Sequence, residues 1–322
     1  MNTKKHNKIL VTGSKGVIGS MLLKELKNRK YNVFGVDLHH APGEIGFIQE
    51  MSNEEWTYSR CDIGEYRQIE RVYLEAGPFD LIYNCAAEFG RWNGEDYYEQ
   101  LWKSNLIGLK NIIRLQEKHG FKLVHFSSSE VYGDYENKMY ENVLFEVPIH
   151  QMNDYAITKW SNEMQIRNSM KIFDTKSVVL RLFNTYGEGE YYHPYRSVNS
   201  KFCYHALHEL PITVYCGHKR SSTYVEDAVR TIANIADNFI SGRIYNIGSD
   251  ELHDIETMAD IIWKYTGAPV ELISIKDSEK LTTKIKIVDN NLIKTELDHK
   301  STVSLEEGIH KTINWMRKVY NK

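Results

Sequence analysis

Residues 8–19 read Lys8-Ile9-Leu10-Val11-Thr12-Gly13-Ser14-Lys15-Gly16-Val17-Ile18-Gly19. The run from Lys8 to Val11 is short and apolar, as a buried strand requires. A glycine-punctuated turn follows. Beyond it Met21, Leu22, Leu23 and Leu26 recur with helical spacing, so the spacing predicts an amphipathic helix. Val33 to Val36 is the next strand, and it ends at Asp37. The order is strand, glycine turn, helix, strand, acid. Gly13 permits the tight turn, Gly16 lets backbone approach a pyrophosphate at the helix N-terminus, and Gly19 lets helix and strand pack closely. With Val17 and Ile18 between them, these glycines form a candidate cofactor-binding loop. Asp37 lies eighteen residues past the last glycine, the context that gives such a loop its meaning. Its carboxylate would accept hydrogen bonds from adenosine ribose hydroxyls and repel a 2'-phosphate. His39 and His40 are no substitute for an arginine there, so NAD is favoured over NADP.

The alternation continues outward. Strands are expected at 58–62, 80–85, 122–126 and 177–182, and helices at 69–76, 97–119 and 154–173. Such alternation implies an α/β fold, a Rossmann-like doubly wound parallel sheet. Ligands bind such sheets outside the carboxyl ends of the strands. Gly13, Asp37, Asp62, Ala86, Ser128 and Arg181 all fall at or near those ends. After Asn184 the texture changes. Residues 187–196 are polar and aromatic and read as a loop. Helices are expected at 200–209, 226–239, 254–266 and 305–320, with short extended pieces at 213–216, 243–247, 270–275 and 284–287. This half is expected to form a smaller α/β substrate lobe. The division expected is a NAD-binding domain over 1–185, with return segments near 224–250, and a mainly substrate-binding lobe over 186–322. No clean linker separates them, so intimate contact is expected.

Composition narrows the function classes. The 322 residues are 42% hydrophobic and 26% charged, ordinary for a globular protein, and the formal net charge is -3. That balance argues against nucleic acid as the main partner. Cys61, Cys85, Cys203 and Cys216 are widely spaced, so neither a zinc site nor a disulfide framework is suggested, and a reduced, cytoplasmic setting is the simplest reading. The N-terminus is basic at Lys4, Lys5 and Lys8, but its apolar run is too short for a signal peptide, and no stretch approaches the ~20 apolar residues of a membrane span.

The chemistry centres on Ser127-Ser128-Ser129-Glu130-Val131-Tyr132-Gly133 and Tyr155-Ala156-Ile157-Thr158-Lys159. Tyr and Lys four apart share one helix face. An ammonium beside a phenol favours the phenolate, so a tyrosine of pKa about 10 can act as a base nearer neutrality. A serine hydroxyl from the preceding segment would complete a proton-transfer site. Taken alone, the pair fits a packed tyrosine and an exposed lysine better than it fits a reactive site.

Together with the glycine loop, Asp37, Cys61-Asp62-Ile63, Asn84-Cys85-Ala86-Ala87, Leu180 to Gly187, Arg220 to Asp227 and Tyr245 to Gly248, these motifs make the chain resemble an extended short-chain dehydrogenase/reductase. More narrowly, it resembles the nucleotide-sugar epimerase/dehydratase family over nearly its whole length. The resemblance implies that Tyr155 takes the proton from a sugar 4-hydroxyl as hydride leaves carbon 4 for NAD. It implies that Lys159 holds the nicotinamide ribose and lowers the Tyr155 pKa, and that Ser128 hydrogen-bonds the same hydroxyl. Asp62 and Ile63 would lie by the adenine, and Ala86 and Ala87 by the ribose and pyrophosphate. Asn184 and Arg220 would contact the sugar and diphosphate, an arginine fork suiting the latter.

Glu130 bears on the reaction type. In the family's 4,6-dehydratases a Glu here abstracts the carbon-5 proton once carbon 4 is a ketone, whereas simple 4-epimerases carry a small or uncharged residue. A structural or substrate-positioning carboxylate is the alternative. GDP-mannose dehydratases and UDP-glucuronate decarboxylases share the Ser-Glu pair. Ser129, counted with the substrate residues, departs from the Asp of many dTDP-glucose dehydratases. Glu188 replaces the usual proline after Tyr186-Gly187. The segment Glu88 to Tyr98 is unlike the common epimerase loop, and Arg91 and Trp92 in it are placed to read the sugar or a carboxylate. The expectation is a 4,6-dehydratase of nucleoside-diphosphate sugars. Its alternatives are a 4-epimerase, a uronate decarboxylase, or a non-catalytic NAD-binding regulatory protein. By the same resemblance, helices 97–119 and 154–173 would form a homodimer interface.

Overall fold

A computed structural model describes residues 8–39 and 57–322. His40, Lys4 and Lys5 lie outside the described residues. The strands are β1 (Lys8–Thr12), β2 (Asn32–Asp37), β3 (Thr57–Arg60), β4 (Leu81–Asn84), β5 (Lys122–Ser128), β6 (Lys138–Met139), β7 (Lys176–Leu182), β8 (Thr185–Tyr186), β9 (Ile212–Tyr215), β10 (Lys219–Ser221), β11 (Thr223–Tyr224), β12 (Ile244–Ile247), β13 (Leu252–Asp254), β14 (Ile273–Lys276) and β15 (Ile285–Val288). Seven form one parallel sheet in the order β12-β7-β5-β4-β1-β2-β3. The order reverses between β1 and β4, and a crevice opens at such a switch point outside the carboxyl ends of the strands. Gly13 and Ala86 end those two strands, and a Cβ on Gly13 would lie 2.7 Å from the Ala86 nitrogen.

The sheet strands are apolar on both faces because helices cover both. On one face Leu22, Leu23 and Leu26 of helix Val17–Asn28 pack with Val225, Ala228, Val229 and Ile232 of helix Val225–Asn234, and with Ile293 and Leu297. On the other, Ile69 and Val72 meet Leu109, Ile112, Ile113 and Ile166. A third core gathers Phe202, Ile212, Met258, Ile262, Ile309 and Ile313. The last strand of the large sheet, β12, follows much of the later half, so the chain leaves this sheet after β7 and returns to it.

Two segments differ from the sequence reading. Residues 98–119 are helical throughout, as read, but the winding changes: Tyr98–Trp102 leads into a π-helical turn over Lys103–Ile107 and then Gly108–His119. The wider turn carries Asn105, whose side chain accepts from the Glu88 nitrogen (2.9 Å) and donates to Thr158 Oγ1 (3.1 Å). The segment Glu88 to Tyr98, read as a loop, contains the short helix Arg91–Asp96. Four short strands unite as a second sheet in the order β13-β10-β15-β6, and β6 lies a few residues beyond the turn that bears Glu130.

Candidate active site

Three elements converge at the ends of β4, β5 and β7. Strand β5 delivers Ser127 and Ser128, and a single 3-10 turn over Ser129–Tyr132 then presents Glu130. The Ser128 hydroxyl caps that turn, accepting from the Glu130 nitrogen at 3.2 Å. The third element is helix Asp154–Phe173, started by the Asn153 side chain, which accepts from the Ala156 nitrogen at 2.7 Å. Tyr155 and Lys159 lie on this helix, with Tyr155 half-buried and Lys159 fully buried.

The Ser128 hydroxyl stands by the Tyr155 phenol. Burial pushes the phenol up to about 12; the Ser128 hydroxyl opposes this and the nearby Glu130 carboxylate adds to it. Lys159 donates its Nζ proton to the Phe126 carbonyl at 2.8 Å and stands 5.7 Å from the Tyr155 ring centre. In this geometry burial is the largest influence on the phenol, and the Lys159 ammonium is tied to a main-chain carbonyl. Burial brings Lys159 itself down to about 8, against the opposing pull of Cys85 and Glu163.

Glu130 has an unforeseen partner. Lys286 on β15 donates to its Oε1 at 2.5 Å, and Lys286 is only 2% exposed. The Lys286 ammonium, then Arg91 and Arg220, outweigh burial and hold the Glu130 carboxyl below its ordinary range. For Lys286 burial wins: it falls to about 8, because Arg220 and Arg91 repel what Glu130 attracts. Three cations thus crowd one carboxylate. Arg91 is also paired with Glu279 at 3.1 Å. The Arg220 Nη1 is committed to the carbonyls of Lys284 (2.7 Å) and Lys219 (2.8 Å), and Nη2 to that of Thr283 (3.1 Å). Its charge therefore reaches the site more readily than its terminal N–H groups do. A cleft of about 280 Å³, lined by Arg91, Trp92, Arg196, Phe202, Tyr215 and His218 among others, adjoins this cluster. Ser129 is buried beside Ser128, and Asn184, two residues after β7, is held at φ 39°.

The glycine loop fits a dinucleotide. A Cβ on Gly19 would stand 2.1 Å from the Gly13 carbonyl oxygen, so only glycine permits this close passage of loop and helix. Helix Val17–Asn28 begins there with no side-chain cap, so the first N–H groups, at Val17, Ile18 and Gly19, lack intrahelical acceptors. Asp37 accepts from the Lys15 and His39 nitrogens at 2.9 and 3.1 Å, which fixes a carboxylate with lone pairs left for ribose hydroxyls. Thr12 Oγ1 holds the Ala86 nitrogen at 3.1 Å, and Ala87 follows it. Asp62 pairs with Lys103 at 3.2 Å and accepts from the Gly64 nitrogen at 2.8 Å. The Ile63 side chain is buried against Gly108, leaving backbone to face an adenine. The residues present thus suit NAD.

Sequence reasoning missed Lys286 and Glu279. Lys286 sits in Lys284-Ile285-Lys286-Ile287, whose alternation reads as an exposed strand. Only its pairing with Glu130, far away in the chain, distinguishes it. Among the described residues, no group of three or more His, Cys, Asp or Glu side chains is arranged to hold a metal, and no helix is long and apolar enough to cross a membrane.

The chain is similar to UDP-glucuronic acid decarboxylase 1 of Xenopus tropicalis, with 28% identity over 99% of this chain and 74% of that protein. It is similar to dTDP-glucose 4,6-dehydratase of Neisseria meningitidis, with 25% identity over 96% of this chain and 92% of that one. The solved structure of UDP-glucuronic acid 4-epimerase from Bacillus cereus, in complex with UDP-glucuronic acid and NAD, superposes with a TM-score of 0.84. That match has 25% identity and covers 97% of this chain and all (100%) of the other. The family profile described as NAD dependent epimerase/dehydratase matches residues 9–248. With its sheet order, its glycine loop and its tyrosine and lysine on one helix, the chain belongs to the NAD-dependent epimerase/dehydratase family, whose members are enzymes.

Proposed function

We propose that this enzyme is a 4,6-dehydratase of a nucleoside-diphosphate sugar, working through a 4-keto intermediate. The observation that carries the proposal is the pairing of half-buried Glu130 with buried Lys286 beside Tyr155. A plain 4-epimerisation needs one acid–base group at carbon 4. A second acid–base couple suits a reaction that also moves protons at carbons 5 and 6.

When bound, NAD would supply the acceptor for the carbon-4 hydride and the hydride that ends on carbon 6. Tyr155 takes the 4-hydroxyl proton, and Ser128 holds the same oxygen. Lys159 stays cationic to favour the tyrosinate and to hold a ribose. The ketone acidifies the carbon-5 proton, and Glu130, kept ionised by its cations, removes it. The electron pair forms the 5,6 double bond as the carbon-6 hydroxyl departs with a proton from Lys286, whose pKa near 8 suits it to be the acid. Glu130 then returns its proton to carbon 5. The sugar loses one water in all.

A second reading is decarboxylation of a uronic acid. It is favoured by Arg91, Arg220 and Lys286, three cations about one carboxylate, which would receive a sugar carboxylate. A 4-keto uronate is a β-keto acid and can lose carbon dioxide with no base at carbon 5. The supporting comparison is the similarity to both dehydratases and decarboxylases. Incubation with nucleotide hexoses and nucleotide uronates, followed by product mass, separates the readings. Loss of water supports dehydration, loss of carbon dioxide decarboxylation, and unchanged mass with altered retention epimerisation. Bound NAD without turnover of any nucleotide sugar would instead point to a regulatory role.

A further inference from the structure

Among the described residues the largest fully buried side chain is that of Arg181, on β7 and 0% exposed. Its Nε and Nη2 grip Glu163 Oε1 and Oε2 at 3.0 and 2.7 Å, and its Nη1 donates to the Tyr132 hydroxyl at 2.9 Å and the Glu141 carbonyl at 2.7 Å. Glu163 Oε1 also accepts from the Ser127 hydroxyl at 2.5 Å. Tyr132 in turn donates to Asn246 Oδ1 at 2.7 Å, and Asn246 Nδ2 donates to the Met139 and Asp289 carbonyls at 3.0 and 3.2 Å.

Four members of this network lie close in sequence to a reacting side chain. Glu163 follows Lys159 by one helical turn and Tyr155 by two, on the same face. Ser127 precedes Ser128. Tyr132 is two residues beyond Glu130, and Asp289 three beyond Lys286. A buried ion pair is often no more stabilising than apolar residues of the same shape, so its geometry rather than its energy asks for a use. We propose that Glu163 and Arg181 are positioning residues for the reaction, locking the helix that bears Tyr155 and Lys159 in register with the turn that bears Ser128 and Glu130.

The pair also acts on charge. Lys159 is faced by Glu163 and Tyr155 from its own helix, by His125 from β5 and by Cys85 from the end of β4; Arg181 lies behind Glu163. Glu163 is the carboxylate that favours the ammonium form of Lys159. Its removal should make Lys159 lose its proton at a lower pH.

The test uses two variants of the NAD-loaded enzyme. Glu163→Leu with Arg181→Met removes both charges while keeping apolar bulk. Glu163→Asp keeps the charge but shortens its reach. NAD content reports folding, and lysine side-chain NMR follows the Lys159 titration without any substrate. For the double variant we expect a lower Lys159 pKa, a basic limb of kcat moved to lower pH, and a kcat loss of about tenfold to hundredfold from misplacement, with KM little changed. For Glu163→Asp we expect a loss of kcat with the Lys159 titration unmoved. A wild-type kcat in Glu163→Asp, or an unmoved Lys159 titration in an NAD-loaded double variant, overturns the proposal. If the double variant fails to load NAD, the Glu163→Asp kcat decides. The kinetic arm rests on the nucleotide-sugar reading. If the wild type turns over no nucleotide sugar, that reading fails while the lysine titration still tests the positioning pair.

Discussion

Replacing Lys286 by Met should remove the dehydration chemistry while costing the fold little. The Lys286 ammonium is lowered from 10.5 to about 8. At about 1.4 kcal/mol per pKa unit, its burial costs the folded state ~3 kcal/mol wherever the unfolded lysine is charged and the folded one is too. A lysine with a depressed folded pKa destabilises below that pKa, and the cost fades as pH rises from about 8 towards 10.5. Methionine keeps most of the bulk and abolishes this cost. Against it stands the loss of Glu130's nearest cation. Breaking a lone buried pair typically costs 3–5 kcal/mol, but Glu130 keeps Arg91 and Arg220 in its field. The two effects nearly cancel, so the variant should lie within about 2 kcal/mol of wild type at pH 7. Any advantage it has should shrink above pH 8, as the wild type sheds its own cost. Urea unfolding of both proteins across pH 6.5 to about 9.5 measures this. Product formation should fall by about a hundredfold or more, the scale of a lost general acid, while the substrate still reduces bound cofactor. A destabilisation above ~3 kcal/mol at pH 7 would show that Lys286 is a structural counter-ion. Undiminished water loss would remove it from the chemistry.

Other outcomes follow from the same geometry. Tyr155→Phe should lower turnover by about a hundredfold or more with NAD still bound, read by steady-state rate and cofactor absorbance. Gly19→Ala should abolish cofactor loading, since its Cβ would meet the Gly13 carbonyl oxygen at 2.1 Å; retention of NAD in the purified variant would contradict the fit described for the loop. Turnover should decline above about pH 8, because Lys159, lowered to about 8 by burial, is cationic below that value and neutral above it; a flat kcat from pH 7 to about 9.5 would refute this. Asp37→Ala should weaken NAD by about tenfold to hundredfold, the loss of hydrogen bonds to a charged acceptor, as equilibrium dialysis would show.

Much of this architecture was legible because local signals agreed. Helix 154–173 was read to both ends: Asn153 caps its start and Asp174 closes it in the left-handed region. Helix 305–320 was read likewise, with Ser304 accepting from the Glu307 nitrogen. The glycine loop and Asp37 were legible because backbone constraints at Gly13 and Gly19 leave no other residue possible. The second sheet was not, since its strands are two to four residues long and take their pairing from distant segments. Helix Arg91–Asp96 was hidden by its brevity and by Gly94 within it. Glu130 was found from its motif, but not the Lys286 that governs its charge, because no periodicity links residues from the turn after β5 and from β15.

The late return of β12 has a consequence for how such a chain can be cut and recombined. Its four residues close the edge of β7, whose central Val178-Val179-Leu180-Arg181 is buried. A fragment ending near residue 185 would expose that apolar edge to other chains and would be expected to aggregate rather than fold. The later half is therefore not a detachable cassette. Grafting a relative's substrate-reading segments should succeed only as an exchange between β8 and β11, inside the loop the chain makes before it comes home to the sheet.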